Sequence, residues 1–142
     1  MRLWHEALIP YLPRQQLLGQ HRECCALRGN GWGKPNATVN YVFKHHPIYL
    51  AMYHTFVMNE MLNRGYSVET EWKDPFYRGK SYDAYEFNAP LYFFYVECID
   101  RCLCSGTTVY KEHDDDYLRE CLNNLRNKGI ILEGFDYERV EL

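Results

Sequence analysis

A chain of 142 residues, 46% of them hydrophobic, is long enough to bury a core and short enough for one domain. No apolar run approaches the ~18 residues that a membrane span requires. The opening Met1-Arg2-Leu3-Trp4-His5-Glu6 lacks the apolar centre of a secretion signal, so a cytoplasmic protein with no membrane partner is expected.

The net charge of −3 speaks against a nucleic-acid binder until the chain is divided. Residues 1–50 carry Arg2, Arg14, Arg22, Arg28, Lys34 and Lys44 against only Glu6 and Glu23, whereas residues 51–142 hold ten basic and seventeen acidic side chains. Total charge governs solubility, but a local basic face is what attracts phosphate. The six cysteines include the adjacent pair Cys24-Cys25, which with the missing signal argues for free thiols.

In chain order, the first twelve residues read as an irregular extended arm anchored by Leu3, Trp4, Leu8 and Ile9. Pro13 suits the first turn of a helix. Leu17, Leu18, His21, Cys24 and Cys25 then recur at three- and four-residue steps, which predicts a helix over residues 13–25 with these side chains as its buried stripe. Gln16, Gly19, Gln20 and Glu23 fall on another face, where Gly19 lies one turn below Glu23 and leaves the space beside the carboxylate open. Arg22 stands about 100° round the helix from Glu23. An acid beside an open notch with an arginine at its flank suits an anionic substrate.

Arg28-Gly29-Asn30-Gly31-Trp32-Gly33-Lys34-Pro35-Asn36 reads as a loop. Trp32 and Lys34 could there stack on a base and meet a phosphate, or Trp32 could close over the core. A helical stretch is predicted over residues 38–43, capped by Asn36 or Thr38 and interrupted by His45-His46-Pro47. The long central helix runs from Pro47 to Arg64, with Ile48, Met52, Phe56, Val57 and Met61 on one side and Gly65 at its end. Residues 66–90 predict a long ordered loop with short helical turns, and Leu91 to Cys104 a helix apolar enough to be buried. Asp114-Asp115-Asp116 leads into an amphipathic helix from Tyr117 to Lys128, built on Leu118, Cys121, Leu122 and Leu125 and closed by Gly129. Its acidic start and basic end suit the helix dipole. Residues 130–135 pair as a short strand or pack as a closing flap. Together these elements predict a mainly α fold, a single compact helical domain over residues 1–142 with long ordered loops.

Metal chemistry has little support in these spacings. The aspartate triplet reads as a dipole-favoured helix start, and His45, His46 and His54 as polar surface or core residues. Cys98, Cys102 and Cys104 match no standard zinc spacing, which leaves a metalloprotein built on them and His113 as a remote alternative. No metal and no cofactor is expected.

The helix bearing Glu23 carries a resemblance. Gln15, Leu17 and the Arg22-Glu23 dipeptide resemble the opening helix of the pyrimidine-dimer DNA glycosylases, the family of the phage UV endonuclease, at the same distance from the amino terminus. Met1-Arg2-Leu3-Trp4 looks like the start of the family's bacterial branch. The Tyr41–Phe43 segment and the helix ending Asn63-Arg64-Gly65-Tyr66 look like its later helices, so the resemblance is clearest over residues 1–70. The chain departs from the phage pattern at Arg2, which follows Met1 where a threonine stands and whose bulk keeps Met1 in place. It departs again at Cys25 and Ala26, where a proline and a phosphate-binding arginine are missing unless Arg28 replaces the contact, and at Gln16 and His21.

The resemblance implies a DNA repair glycosylase with AP-lyase activity that acts on a damaged or modified base, through an imine formed by the α-amine of Met1. An α-amine titrates near 7.7–8.0, about two to three units below lysine, so a useful fraction is the neutral nucleophile at pH 7. Glu23 would stabilise the cationic sugar and assist the proton transfers of the elimination. Arg22 and Arg2 would neutralise phosphates, with Arg14, Gln15, His21, Arg28, Trp32 and Lys34 completing the DNA-binding set. The expected partner is damaged double-stranded DNA, bound by a monomer that is nucleoid-associated when acting. The alternative is a non-catalytic nucleic-acid binding module using the basic first third.

Overall fold

A computed structural model describes residues 2–29 and 39–140. Its α-helices are α1 (Arg14–Arg28), α2 (Pro47–Asn63), α3 (Ala89–Ser105) and α4 (Asp115–Asn127), joined by loops with short 3-10 turns. Among the described residues there is no strand, so the mainly α expectation holds and the tail packs rather than pairs.

The amino-terminal arm is more regular than expected. Glu6–Tyr11 forms a 3-10 helix, started by the His5 ring, whose Nδ1 accepts the Ala7 N–H at 3.0 Å. Pro10 lies inside it, and its missing N–H removes one i→i−4 bond, which disfavours an α-helix there. Leu3, Trp4, Leu8 and Ile9 are buried, as anchors of the arm.

Helix α1 begins after Pro13 and runs beyond Cys25 to Arg28, because Leu27 and Arg28 are themselves buried and extend the inward stripe by a turn. That stripe also corrects the predicted one. Gln20, expected in the open notch, is only 1% exposed, whereas Leu18, His21 and Cys25 lie half-buried at its edge. A glutamine this deep is tolerated because every side-chain polar atom is hydrogen-bonded, as the site below shows.

Helix α2 is the element on which α1, α3, the 3-10 helix of the arm and the Asn40–Lys44 turn pack. The His46 ring starts it by accepting the Ile48 N–H at 3.0 Å, with Pro47 in the first turn. Arg64 follows its end and reaches back: Nε pairs with Glu60 at 2.7 Å while its two terminal nitrogens donate to the carbonyls of Leu12 and Pro10. The Asn63-Arg64-Gly65 ending is therefore a clamp on the arm, with Gly65 at φ 84°, a conformation that favours glycine. The stretch expected over 38–43 is a 3-10 turn at Asn40–Lys44, preceded by Val39 without a side-chain cap; the expected caps Asn36 and Thr38 lie outside the described residues.

One core joins the arm, α1, α2 and α4 with Leu132, Phe135 and Val140 of the tail. A smaller cluster sets Tyr95 and Cys98 of α3 on Ile48, Ala51 and Met52 of α2. The expectation of a buried α3 is corrected here. Phe93 is 65% and Leu103 64% exposed, with Tyr92 and Val96 also outward, because α3 has only α2 to pack against and apolar side chains on both faces.

Candidate active site

The site is organised by Gln20. Its Oε1 accepts the Trp4 N–H at 2.7 Å and the Tyr53 hydroxyl at 3.0 Å, while its Nε2 donates to the Arg2 carbonyl at 3.0 Å and to Glu23 Oε2 at 3.1 Å. The Tyr53 hydroxyl also donates to the Trp4 carbonyl at 2.6 Å, and the Tyr117 hydroxyl to the Leu3 carbonyl. Side chains from α1, α2 and α4 thus hold the backbone of residues 2–4 along the edge of α1 that carries Glu23. The backbone of residues 2–4 therefore has little freedom to leave that edge.

Glu23 is half-buried, and burial raises its pKa above the ordinary carboxylate value. The positive charge of the amino terminus, the Arg2 backbone, Gln20 and Lys128 oppose that rise. Lys128 Nζ lies 5.2 Å from the Trp4 ring centre, so the residue after α4 brings a cation to the same edge. Arg2 packs against the Trp4 and Tyr117 rings, and its guanidinium pairs with Glu120 at 3.0 Å. On the outer side, a Cβ added at Gly19 would meet only the Arg22 guanidinium, 3.8 Å away. The Arg22 side chain thus lies against the face that Gly19 leaves without a side chain. Cavities of about 620, 250 and 210 Å³ are lined by other residues and not by Glu23. A carboxylate on an open edge, with cations around it, suits a polyanion laid across the surface more than a small molecule enclosed in a pocket.

The opposite edge of α1 carries a second polar group. His21 Nδ1 and His54 Nε2 are 2.8 Å apart, and Arg28 Nη1 is 3.0 Å from His54 Nδ1. Arg28 also donates to the carbonyls of Trp72, Asp74 and Tyr77. Cys25 Sγ lies 3.8 Å from His21 Nε2 and 3.9 Å from His54 Nε2. These three residues are the trio among the described residues whose donor atoms, within 4.8 Å of one another, could hold a metal ion. The polarity is wrong for it. A metal-bound histidine normally donates its other N–H to an acceptor, whereas His54 faces a guanidinium, which can only donate. Burial also pushes the Cys25 thiol up to about 11, away from the thiolate that ligates metals.

The predicted site residues fall into separate places. Arg14, Gln15 and Arg22 share the exposed face of α1, with Arg14 also 5.4 Å from the Tyr66 ring centre. Arg2 and Glu23 meet at one edge through Gln20, and His21 lies at the other. Arg28, expected as a phosphate contact, is 6% exposed and committed to internal carbonyls, so its fork is not offered to a ligand. Met1, Trp32 and Lys34 lie outside the described residues. The alternative metal set is not brought together: His113 is buried against Glu6 and Tyr41, its Nε2 2.8 Å from the Tyr41 hydroxyl, apart from the cysteines of α3. Sequence reading missed Gln20, Tyr53 and Lys128. Gln20 had a signal, since it precedes Glu23 by one helical turn; Lys128 had none, because only the packing of α4 brings it near.

A family model described as pyrimidine dimer DNA glycosylase matches residues 1–74, just over half the chain and including the arm, α1 and α2. No curated protein and no solved structure matches.

Proposed function

Because the chain belongs to the pyrimidine dimer DNA glycosylase family, whose activity places it among DNA repair glycosylases, we propose that it removes a damaged or modified base through an imine and then nicks the strand as a lyase. The neutral α-amine of Met1 attacks the sugar carbon that bears the base. The bond to the base breaks, and its electron pair leaves with the base; the nitrogen then loses a proton and its lone pair forms the imine as the bond from that carbon to the ring oxygen breaks, the oxygen taking up a proton. Ionised Glu23 offsets the positive charge that develops on the sugar and then assists the proton transfers of the elimination. Arg22, Arg2, Arg14 and Lys128 hold phosphates around the lesion, and Gln15 contributes a neutral contact. The target nucleotide is reached by opening the duplex, which costs least where pairing is already weak.

The observation that carries this reading is the set of hydrogen bonds tying residues 2–4 to the edge of α1 at Glu23. An amine nucleophile one residue before Arg2 needs that tether, since effective catalysis requires reacting groups held close together. The test is borohydride trapping on duplex oligonucleotides carrying abasic sites, pyrimidine dimers, oxidised bases or bulky modified bases. A covalent adduct is expected with at least one, together with its loss on blocking the α-amine and a fall of about 10²–10⁴ in turnover for Glu23→Gln. Salt-sensitive binding that survives Glu23→Gln and never yields an adduct would instead mark a non-catalytic binding module.

A further inference from the structure

We propose that Arg28 and His54 are positioning residues that fix the tautomer of His21, so that α1 presents the His21 Nε2–H as a standing hydrogen-bond donor beside Arg22. The DNA-facing use of that donor rests on the function proposed above; the relay itself does not.

The relay starts at a guanidinium, a group with one possible role. A guanidinium donates hydrogen bonds and accepts none, so at 3.0 Å from Arg28 Nη1 the His54 Nδ1 must be bare. Neutral His54 then carries its hydrogen on Nε2, which points at His21 Nδ1 over 2.8 Å. His21 Nδ1 is therefore the acceptor, and the remaining hydrogen of His21 sits on Nε2. Arg28 is itself immobilised by three carbonyls from the segment around the Thr70–Lys73 turn. Each link is fixed by the one before it, from a buried cation to a half-buried ring.

Among the described residues no nitrogen or oxygen accepts a hydrogen bond from His21 Nε2. Among the described residues the only polar atom near His21 Nε2 is Cys25 Sγ at 3.8 Å, and that sulfur is almost as close to Nδ1, at 4.0 Å. A thiol in line with Nε2–H would lie much farther from Nδ1 than from Nε2, so the donor direction is not taken by the sulfur. Protonating His21 would set two N–H groups against each other at the 2.8 Å contact. Burial lowers the proton affinity of His21; Arg22 and Arg28 of α1 lower it further, and Glu69 opposes them. With His54 of α2 and Cys25 as the other titratable neighbours, His21 stays a neutral donor. A neutral N–H of fixed direction can discriminate an acceptor on a base edge or phosphate, where a mobile cation could not.

The primary test is ring-nitrogen NMR on the full chain without DNA. Both His21 and His54 are expected in the Nε2–H form and neutral through the ordinary histidine range near pH 6.5. A His21 signal from Nδ1–H, or titration of His21 at the ordinary value, overturns the relay. So does stoichiometric zinc chloride that shifts His54 Nε2 together with Cys25, since that would assign the trio to a metal. In His54→Phe, His21 is expected to sample both tautomers; an unchanged His21 signal in a folded variant also overturns the relay. For the donor role, His21→Phe is expected to weaken binding of an abasic-site duplex about tenfold, as loss of one hydrogen bond does, and His21→Gln to recover most of it. Equal losses in the two variants would remove that role. Because the NMR result needs no DNA, a wrong tautomer refutes the relay without touching imine trapping, and failed trapping refutes the reaction without touching the relay.

Discussion

At the scale of single residues, Gln20 matters as much as Glu23. It is the buried polar group whose four contacts join the arm, Tyr53 and the carboxylate. Gln20→Leu would fill the space but leave the Trp4 N–H, the Arg2 carbonyl and Glu23 without their partner. Leaving buried polar groups unpaired costs about 1–3 kcal/mol. We expect a loss near 2 kcal/mol in urea unfolding and a larger fractional loss of imine adduct, because the arm is released from the carboxylate. Protonation of the α-amine lowers the rate first as the pH falls below about 8, and protonation of Glu23 should add a second, steeper fall at lower pH. Burial, the first cause, raises the Glu23 pKa, so this second fall is expected above the ordinary carboxylate value, and comparing the pH profiles of kcat for the unaltered chain and for Glu23→Gln isolates it.

At the scale of elements, α1 is held differently at its two ends. Its start is a proline without a side-chain cap, and its end is pinned by Arg28 to the segment that follows α2. Arg28→Lys keeps the charge but cannot supply a planar fork to several carbonyls and a ring nitrogen at once. A cost of about 3 kcal/mol is expected, in the range for breaking a buried charged network, seen as a lower urea midpoint with an unchanged slope. Helix α2 was legible because its signals agree: a histidine-proline start, an apolar side and a glycine end. Helix α4 was legible for the same reason, with Asp114 accepting the Tyr117 N–H at 2.8 Å. Helix α3 was legible as a helix and misread in its burial. Apolar content reports what a helix could bury, and the number of neighbours decides what it does bury.

At the scale of the whole molecule, acidification has a direction. Burial holds His5, His21, His54 and His113 below the ordinary histidine value, His113 at about 3. Each takes up a proton in the unfolded chain before the folded one, so each withdraws stability as the pH falls below about 6.5. Glu6, raised to about 7, and Glu23 act with the opposite sign, since the folded chain binds their protons first. Four groups against two leave a net loss. Thermal unfolding midpoints should therefore fall between about pH 6.5 and 5, and a midpoint that rises over that window would contradict the balance.

The amino-acid sequence by itself determined the helices, the glycine ends of α2 and α4 and the family, because these depend on residues near one another along the chain. It pointed to Glu23 and Arg22 for the same reason, since a helix fixes the angle between neighbours. What only the tertiary structure decided is which polar residues are buried and whom they meet. Gln20 moved from the notch to the core, Arg28 from a phosphate contact to an internal clamp, and Lys128 from a helix end to the site. Each of those assignments depends on a partner many residues away, and spacing along one helix carries no record of it.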